Sequence, residues 1–81
     1  MNIAEIQQKV IEFLISTTGQ TTIVGETELE ASGLIDSLRM MDLLVFFESE
    51  FGVRLDVADL TPATFHSPST ISRVIKSRLA D

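Results

Sequence analysis

Few side chains in this 81-residue sequence could act as nucleophiles or acid–base groups, and their spacing limits what they can do. There is no cysteine and only one histidine, His66, so a Cys-His nucleophile system cannot be built. A Ser-His-Asp arrangement would need Ser37 or another serine to meet His66 across the fold. His66, set between Phe65 and Ser67-Pro68, reads instead as an ordinary loop or short-helix residue. Glu28 and Glu30 lie on a presumed loop, the pattern of a solvated carboxylate pair rather than of an acid–base dyad. Metal-ligand spacing, a phosphate-cradling glycine loop and an aromatic stacking motif are all missing from the sequence. What remains is one well-placed hydroxyl, Ser37, in a chain that performs no chemistry unaided.

The elements around Ser37 explain its placement. In Gly33-Leu34-Ile35-Asp36-Ser37-Leu38, Asp36 is a good N-cap: its carboxylate accepts free N–H groups of the next turn and complements the positive end of the helix dipole. No Pro or Gly interrupts Asp36 to Phe51, so one helix of about four turns is expected from Ser37 to Phe51, with the serine accessible in its first turn. Leu43, Phe47 and Phe51, joined by Leu44 and Met40, form a core-facing stripe. Leu38, Met41 and Val45 form a second stripe, displaced around the helix, with Asp42, Glu48 and Ser49 between or beyond them. A chain this short rarely encloses a helix on all sides, so the second stripe is expected to be a partly exposed docking surface beside Ser37. The alternative is that both stripes are core in a small bundle.

These residues resemble the modification site of acyl carrier proteins, within the wider family of phosphopantetheine-carrying domains. The likeness rests on Asp36-Ser37-Leu38 followed by an apolar, acid-punctuated helix ending Glu48-Ser49-Glu50-Phe51-Gly52-Val53, and it extends over essentially the whole chain. The resemblance implies that Ser37 carries 4'-phosphopantetheine as a phosphate ester, that Asp36 belongs to the motif, and that Leu38, Arg39, Met41, Asp42, Val45 and Glu48 take part in partner recognition. It further implies a tether rather than an enzyme. The expected partners are a phosphopantetheinyl transferase, an acyl- or aminoacyl-adenylating ligase or other loading enzyme, and downstream acyl-transferring or condensing enzymes. Gly33-Leu34-Ile35-Asp36-Ser37 is closest to free-standing aminoacyl and D-alanyl carriers and to some carriers of specialised metabolism. Fatty-acid carriers more often place a small pair before the aspartate and an acid where Arg39 stands. An unmodified helical interaction module, with Ser37 as a mere helix-start residue, is the alternative.

The rest of the chain fits one all-α domain over residues 1–81. A first helix is expected from Ile3 to about Thr17: Asn2 and Glu5 are spaced as a capping box, Ile3, Ile6, Val10, Phe13 and Leu14 keep the helical period, and Gly19 ends it. A long loop to Ile35 follows, pinned by Ile23, Val24 and Leu29. After Gly52, Val53 and Leu55 return to the core, and one short irregular helix is expected within Asp56 to Phe65. Ser67-Pro68 starts the last helix, with Ile71, Val74, Ile75 and Leu79 inward and Arg73, Lys76 and Arg78 toward its negative end. Three long helices and one short one predict a small antiparallel four-helix bundle with a long loop between helices 1 and 2.

Composition narrows the partners. Eighty-one residues with 44% hydrophobic content support one domain, at a length near the lower limit for a core without disulfides. Net charge is −6, which argues against nucleic acid. The longest apolar run is far too short for membrane insertion, and the amphipathic N-terminus is unlike a secretory signal, so a cytoplasmic monomer is expected. From Glu26 to Asp59 there are nine acidic residues and two basic ones, Arg39 and Arg54, whereas from Ser69 to Asp81 three are basic and one acidic. This distribution predicts a negative field around the Ser37 helix that steers basic partner surfaces toward it.

Overall fold

A computed structural model describes residues 1–79. It contains helix α1 (Ile3–Thr18), helix α2 (Ser37–Phe51), a single 3₁₀ turn (Val57–Asp59) and helix α3 (Pro68–Arg78). No strand occurs among the described residues.

Local chemistry fixes the helix ends. At the start of α1 the Asn2 side chain accepts from the Glu5 amide at 2.8 Å, and the Glu5 carboxylate accepts from the Asn2 amide at 3.2 Å. These two bonds satisfy N–H groups that have no partner inside the helix. Gly19, at φ 75°, closes α1 by donating to Ile15 O at 2.9 Å, a left-handed conformation that favours glycine. Ser67 and Thr70 form the matching pair at the start of α3, ahead of Pro68 at its first position.

Ile6, Val10, Ile11 and Leu14 of α1 and Ile71 and Ile75 of α3 are buried against one another and against Leu43 and Phe47 of α2. The end of α3 reaches the start of α1 through Lys76 Nζ, which donates to Met1 O at 3.0 Å, so these helices run antiparallel. Helix α2 also runs opposite to α1: Arg39 near its start meets Thr17, and Glu50 near its end meets Lys9. Bulky side chains fill the α1–α2 seam, where the Phe13 and Phe46 rings stack with centroids 4.2 Å apart.

The loop from Gly19 to Asp36 is tied down by Ile23, Leu29 and Ile35, all buried. Backbone bonds also hold it: Leu29 N donates to His66 O and Ser69 N to Gly25 O, both at 2.9 Å. Val24, expected to help anchor this loop, is instead exposed. Consecutive side chains in non-helical backbone diverge, and Ile23 already takes the inward place. Two other expectations need the same correction. Ile3 is exposed at the first position of α1, before the core begins, and Phe51 is half-buried, set edge-on to Phe46 at 5.7 Å, with Phe47 alone of the two enclosed.

The short helix expected within Asp56 to Phe65 amounts to the one 3₁₀ turn followed by hydrogen-bonded turns. Leu60, at φ −86° and ψ 66°, leaves the helical path, and Pro62 disfavours the helical region for Thr61. A fourth helix therefore rests on this turn alone. Its Asp59 accepts from the Asp56 amide at 3.1 Å and from Arg78 Nε at 3.1 Å, with a further bond from Arg78 Nη2, which straps the turn to the end of α3.

The Arg78 guanidinium holds the Asp59 carboxyl below its ordinary value of 3.8, and Arg78 is raised in turn. A carboxyl depressed by folding stabilises the fold above its unfolded pKa, and that contribution disappears as pH falls through the folded value. Asp59→Asn is therefore expected to lower the melting temperature at neutral pH and to have progressively less effect as pH falls through the lowered folded pKa of Asp59, since the protonated carboxyl is neutral like the amide. Thermal unfolding of the two proteins across pH checks this; a gap between them that stays constant down to acid would contradict the strap.

Candidate functional site

The Ser37 site is built by the loop that precedes α2. Gly33, at φ 75°, donates to Glu30 O at 3.0 Å, and Leu34 N donates to Leu29 O at 2.9 Å, which turns the chain toward the helix. Ile35 is buried and anchors the approach. Asp36, extended at φ −129° and ψ −176°, accepts from the Arg39 amide at 2.8 Å through Oδ1, while its own carbonyl accepts from Met40 N. Ser37 is then the first helical residue and is exposed, with no hydrogen bond from its hydroxyl among the described residues.

A groove of about 440 Å³ begins at Ser37, with Ile35, Met40, Met41, Leu44 and Leu60 as its apolar lining and Glu30 and Asp36 as its charges. Leu60 and Glu30 escape a sequence reading because the fold, not spacing, brings them here. These features fit a long, covalently attached arm. The hydroxyl is accessible for a phosphate ester, the free N–H groups of α2 present positive charge toward it, and the groove offers a partly apolar bed at its side.

Leu38, Met41 and Val45 are 75%, 60% and 67% exposed, so the second stripe faces water as expected, together with Asp42, Glu48 and Ser49. Leu43 and Phe47 are buried, and Met40 and Leu44 pack half-buried against the core.

The charged neighbours are arranged less simply than the sequence suggests. Arg39 is half-buried, and its Nη1 donates to Thr17 O at 2.7 Å. Helix α1 has no basic residue in its own last turn, so Arg39 provides a cation at that helix's negative end. Glu48 is bridged by Arg54 through two bonds of 3.2 Å, which lower the Glu48 carboxyl and raise Arg54. Glu50 pairs with Lys9 at 2.9 Å, raising the lysine. The sequence reading missed both pairs. His66 is exposed and lines a different depression with Glu28, Glu30, Ala31 and Pro62, in which Ser37 has no part.

The family described as "Phosphopantetheine attachment site" matches residues 8–75. The chain is also similar to the D-alanyl carrier protein of Enterococcus faecalis (strain ATCC 700802 / V583), with 28% identity over 74 residues, covering 89% of this chain and 95% of that protein. The family's prosthetic group is 4'-phosphopantetheine. Its members are carriers rather than enzymes, and they work with a phosphopantetheinyl transferase and loading enzymes. The match supports the carrier reading over that of an unmodified interaction module. No helix among the described residues is long and apolar enough to cross a membrane. A family match that begins inside α1 and runs well into α3 leaves the assignment plain: the chain belongs to the phosphopantetheine-carrying proteins.

Proposed function

We propose that Ser37 is the residue that bears the arm, and that the protein is a free-standing carrier, one domain over residues 1–81, dedicated to a specialised or aminoacyl pathway rather than to bulk fatty acid synthesis. The observation that carries the first part is the exposed, unbonded hydroxyl at the first position of a capped helix, inside the stretch that matches the family. Bound there, the arm supplies a thiol that holds an acyl or aminoacyl group as a thioester.

The chain's own residues place that arm. The Asp36 cap fixes the first turn of α2, so that Ser37 projects in one direction, and the exposed N–H groups of that turn favour the negative charge of the ester. Leu38, Met41, Asp42, Val45 and Glu48 form the surface that partners read. Through a docked surface, the arm raises the effective concentration of its cargo at a partner's active site. The partners are the transferase, an adenylating ligase or other loading enzyme, and acyl-transferring or condensing enzymes downstream, met by a monomer in the cytoplasm.

Two observations support the pathway reading. The residues before Asp36 are Gly33-Leu34-Ile35, and the chain resembles a protein named for D-alanine. The test is the intact mass of arm-bearing protein isolated from the cells that make it, before and after hydroxylamine, which cleaves thioesters. An aminoacyl or other short specialised group released by hydroxylamine is the expected result; a long-chain fatty acyl series would contradict the pathway assignment.

A further inference from the structure

The turn that presents Ser37 has little to hold it. From Ser37 to Asp42, α2 has no buried side chain; Leu43 is the first, and within the stretch only Arg39 and Met40 are even half-buried. The Asp36 cap closes the turn through Arg39 N to Asp36 Oδ1 at 2.8 Å and Met40 N to Asp36 O at 2.9 Å. Both bonds tie the turn only to the residue immediately before it. Among the described residues, a single hydrogen bond joins the stretch to another element: Arg39 Nη1 donates to Thr17 O at 2.7 Å. Asp36 and Asp42 line the same surface notch as Thr17, Leu38 and Arg39, yet the guanidinium forms no ion pair with either among the described residues. It goes to a backbone carbonyl instead, one of those at the end of α1 that find no partner within their own helix. The bond gives a dangling acceptor a charged donor and sets a cation at the negative end of α1.

We infer that Arg39 is a positioning residue for arm addition: its bond to Thr17 O latches the first turn of α2 to the end of α1 and thereby holds the Ser37 hydroxyl where the transferase needs it. The inference rests on the carrier reading above and names the residue that sets the rate of the carrier's first step. It gives Arg39 an internal task in place of the partner recognition expected from the sequence.

A helix start without tertiary anchors frays, because its first N–H groups lack partners inside the helix. In arm addition the Ser37 oxygen forms a bond to phosphorus as the phosphoanhydride bond of coenzyme A breaks. The nucleotide leaves with the bonding pair, and the serine proton passes to the transferase. Such a displacement needs the attacking oxygen in line with the breaking bond, and a misplacement of about 1 Å costs up to about 100-fold in rate. Met41 and Val45 lie beyond the first turn, so loss of the latch leaves most of the surface that partners meet in place. A frayed first turn therefore slows the chemical step more than it weakens docking.

The test compares wild type with Arg39→Met, which keeps the apolar stem and removes donor and charge, and Arg39→Lys, which keeps a cation. Each protein is mixed with coenzyme A and a broad-specificity phosphopantetheinyl transferase in excess, over a range of transferase concentrations, and single turnovers are followed by intact mass. Thermal unfolding establishes that each protein is fully folded at the assay temperature, where a general loss of stability leaves the maximal rate unchanged. For Arg39→Met the expected result is a maximal rate lower by about tenfold, with the half-saturating transferase concentration changed by less than about twofold. Amide exchange in the free protein is expected to quicken by about tenfold at both ends of the latch, at Arg39 and Met40 and at Gly19. Arg39→Lys is expected to recover most of the rate and of the protection. An unchanged maximal rate for Arg39→Met overturns the inference, as does a loss confined to the half-saturating concentration, the mark of a residue that the transferase touches. An Arg39→Lys protein as slow as Arg39→Met overturns it too. These outcomes leave the carrier reading standing, because the arm still arrives at Ser37, whereas a wild-type protein that accepts no arm at Ser37 sinks that reading and the inference with it.

Discussion

Ser37→Ala is expected to abolish arm addition completely while leaving the protein folded. The hydroxyl supplies the one atom through which the ester can form, so no neighbouring side chain compensates for its loss. Structurally the change is mild. Ser37 is exposed, its side chain holds nothing in place, and alanine is the better helix former. An exposed substitution of this kind stays within about 0.5 kcal/mol, a shift of only a few degrees in Tm for a domain of this size. Intact-protein mass after incubation with coenzyme A and a transferase, paired with thermal unfolding, reads both halves. An arm on the alanine variant would show that another serine is the attachment point, and a collapsed variant would show that Ser37 has a packing role the structure does not give it.

The second large effect lies in the core. Phe47 is fully enclosed, between the Phe46 ring at 6.2 Å and the buried side chains of α1 and α3, so Phe47→Ala removes a ring the surroundings cannot replace. The expected loss is about 3–5 kcal/mol. A domain of this length has roughly 4–12 kcal/mol to lose, which puts the alanine variant near the edge of folding. Phe47→Leu, retaining apolar bulk, keeps the comparison measurable with a smaller loss. Phe51→Ala is expected to cost distinctly less than Phe47→Ala, because Phe51 keeps part of its surface in water in the folded state. Urea unfolding midpoints at constant slope rank the three. If Phe51→Ala proved as costly as Phe47→Ala, the half-buried placement of Phe51 would be wrong.

What the sequence made legible was whatever is decided within a turn or two of chain. The capping residues Asn2, Asp36 and Ser67, the terminating glycines 19 and 52, and Pro68 mark helix ends that the structure reproduces to within a residue. The exposure of Leu38, Met41 and Val45 followed from periodicity together with chain length, since a small domain cannot cover every face of α2. The misreadings concern relations across the fold. Ile23 and Val24 look alike in sequence, and only the direction of the loop separates buried from exposed. A count of charges by segment could not foresee that Lys9 pairs with a residue 41 positions away, that Arg78 straps Asp59, or that Arg39 caps α1. For the same reason the groove at Ser37 was invisible: Glu30 and Leu60 join it from loops on either side of α2.

The central claim is that one serine, Ser37, carries one arm. Wild-type protein incubated with coenzyme A and a broad-specificity phosphopantetheinyl transferase, then weighed intact and fragmented, tests it most directly. The predicted result is addition of a single phosphopantetheine, with every arm-bearing fragment containing Ser37. No mass gain, or a gain that maps to any other residue, would contradict it.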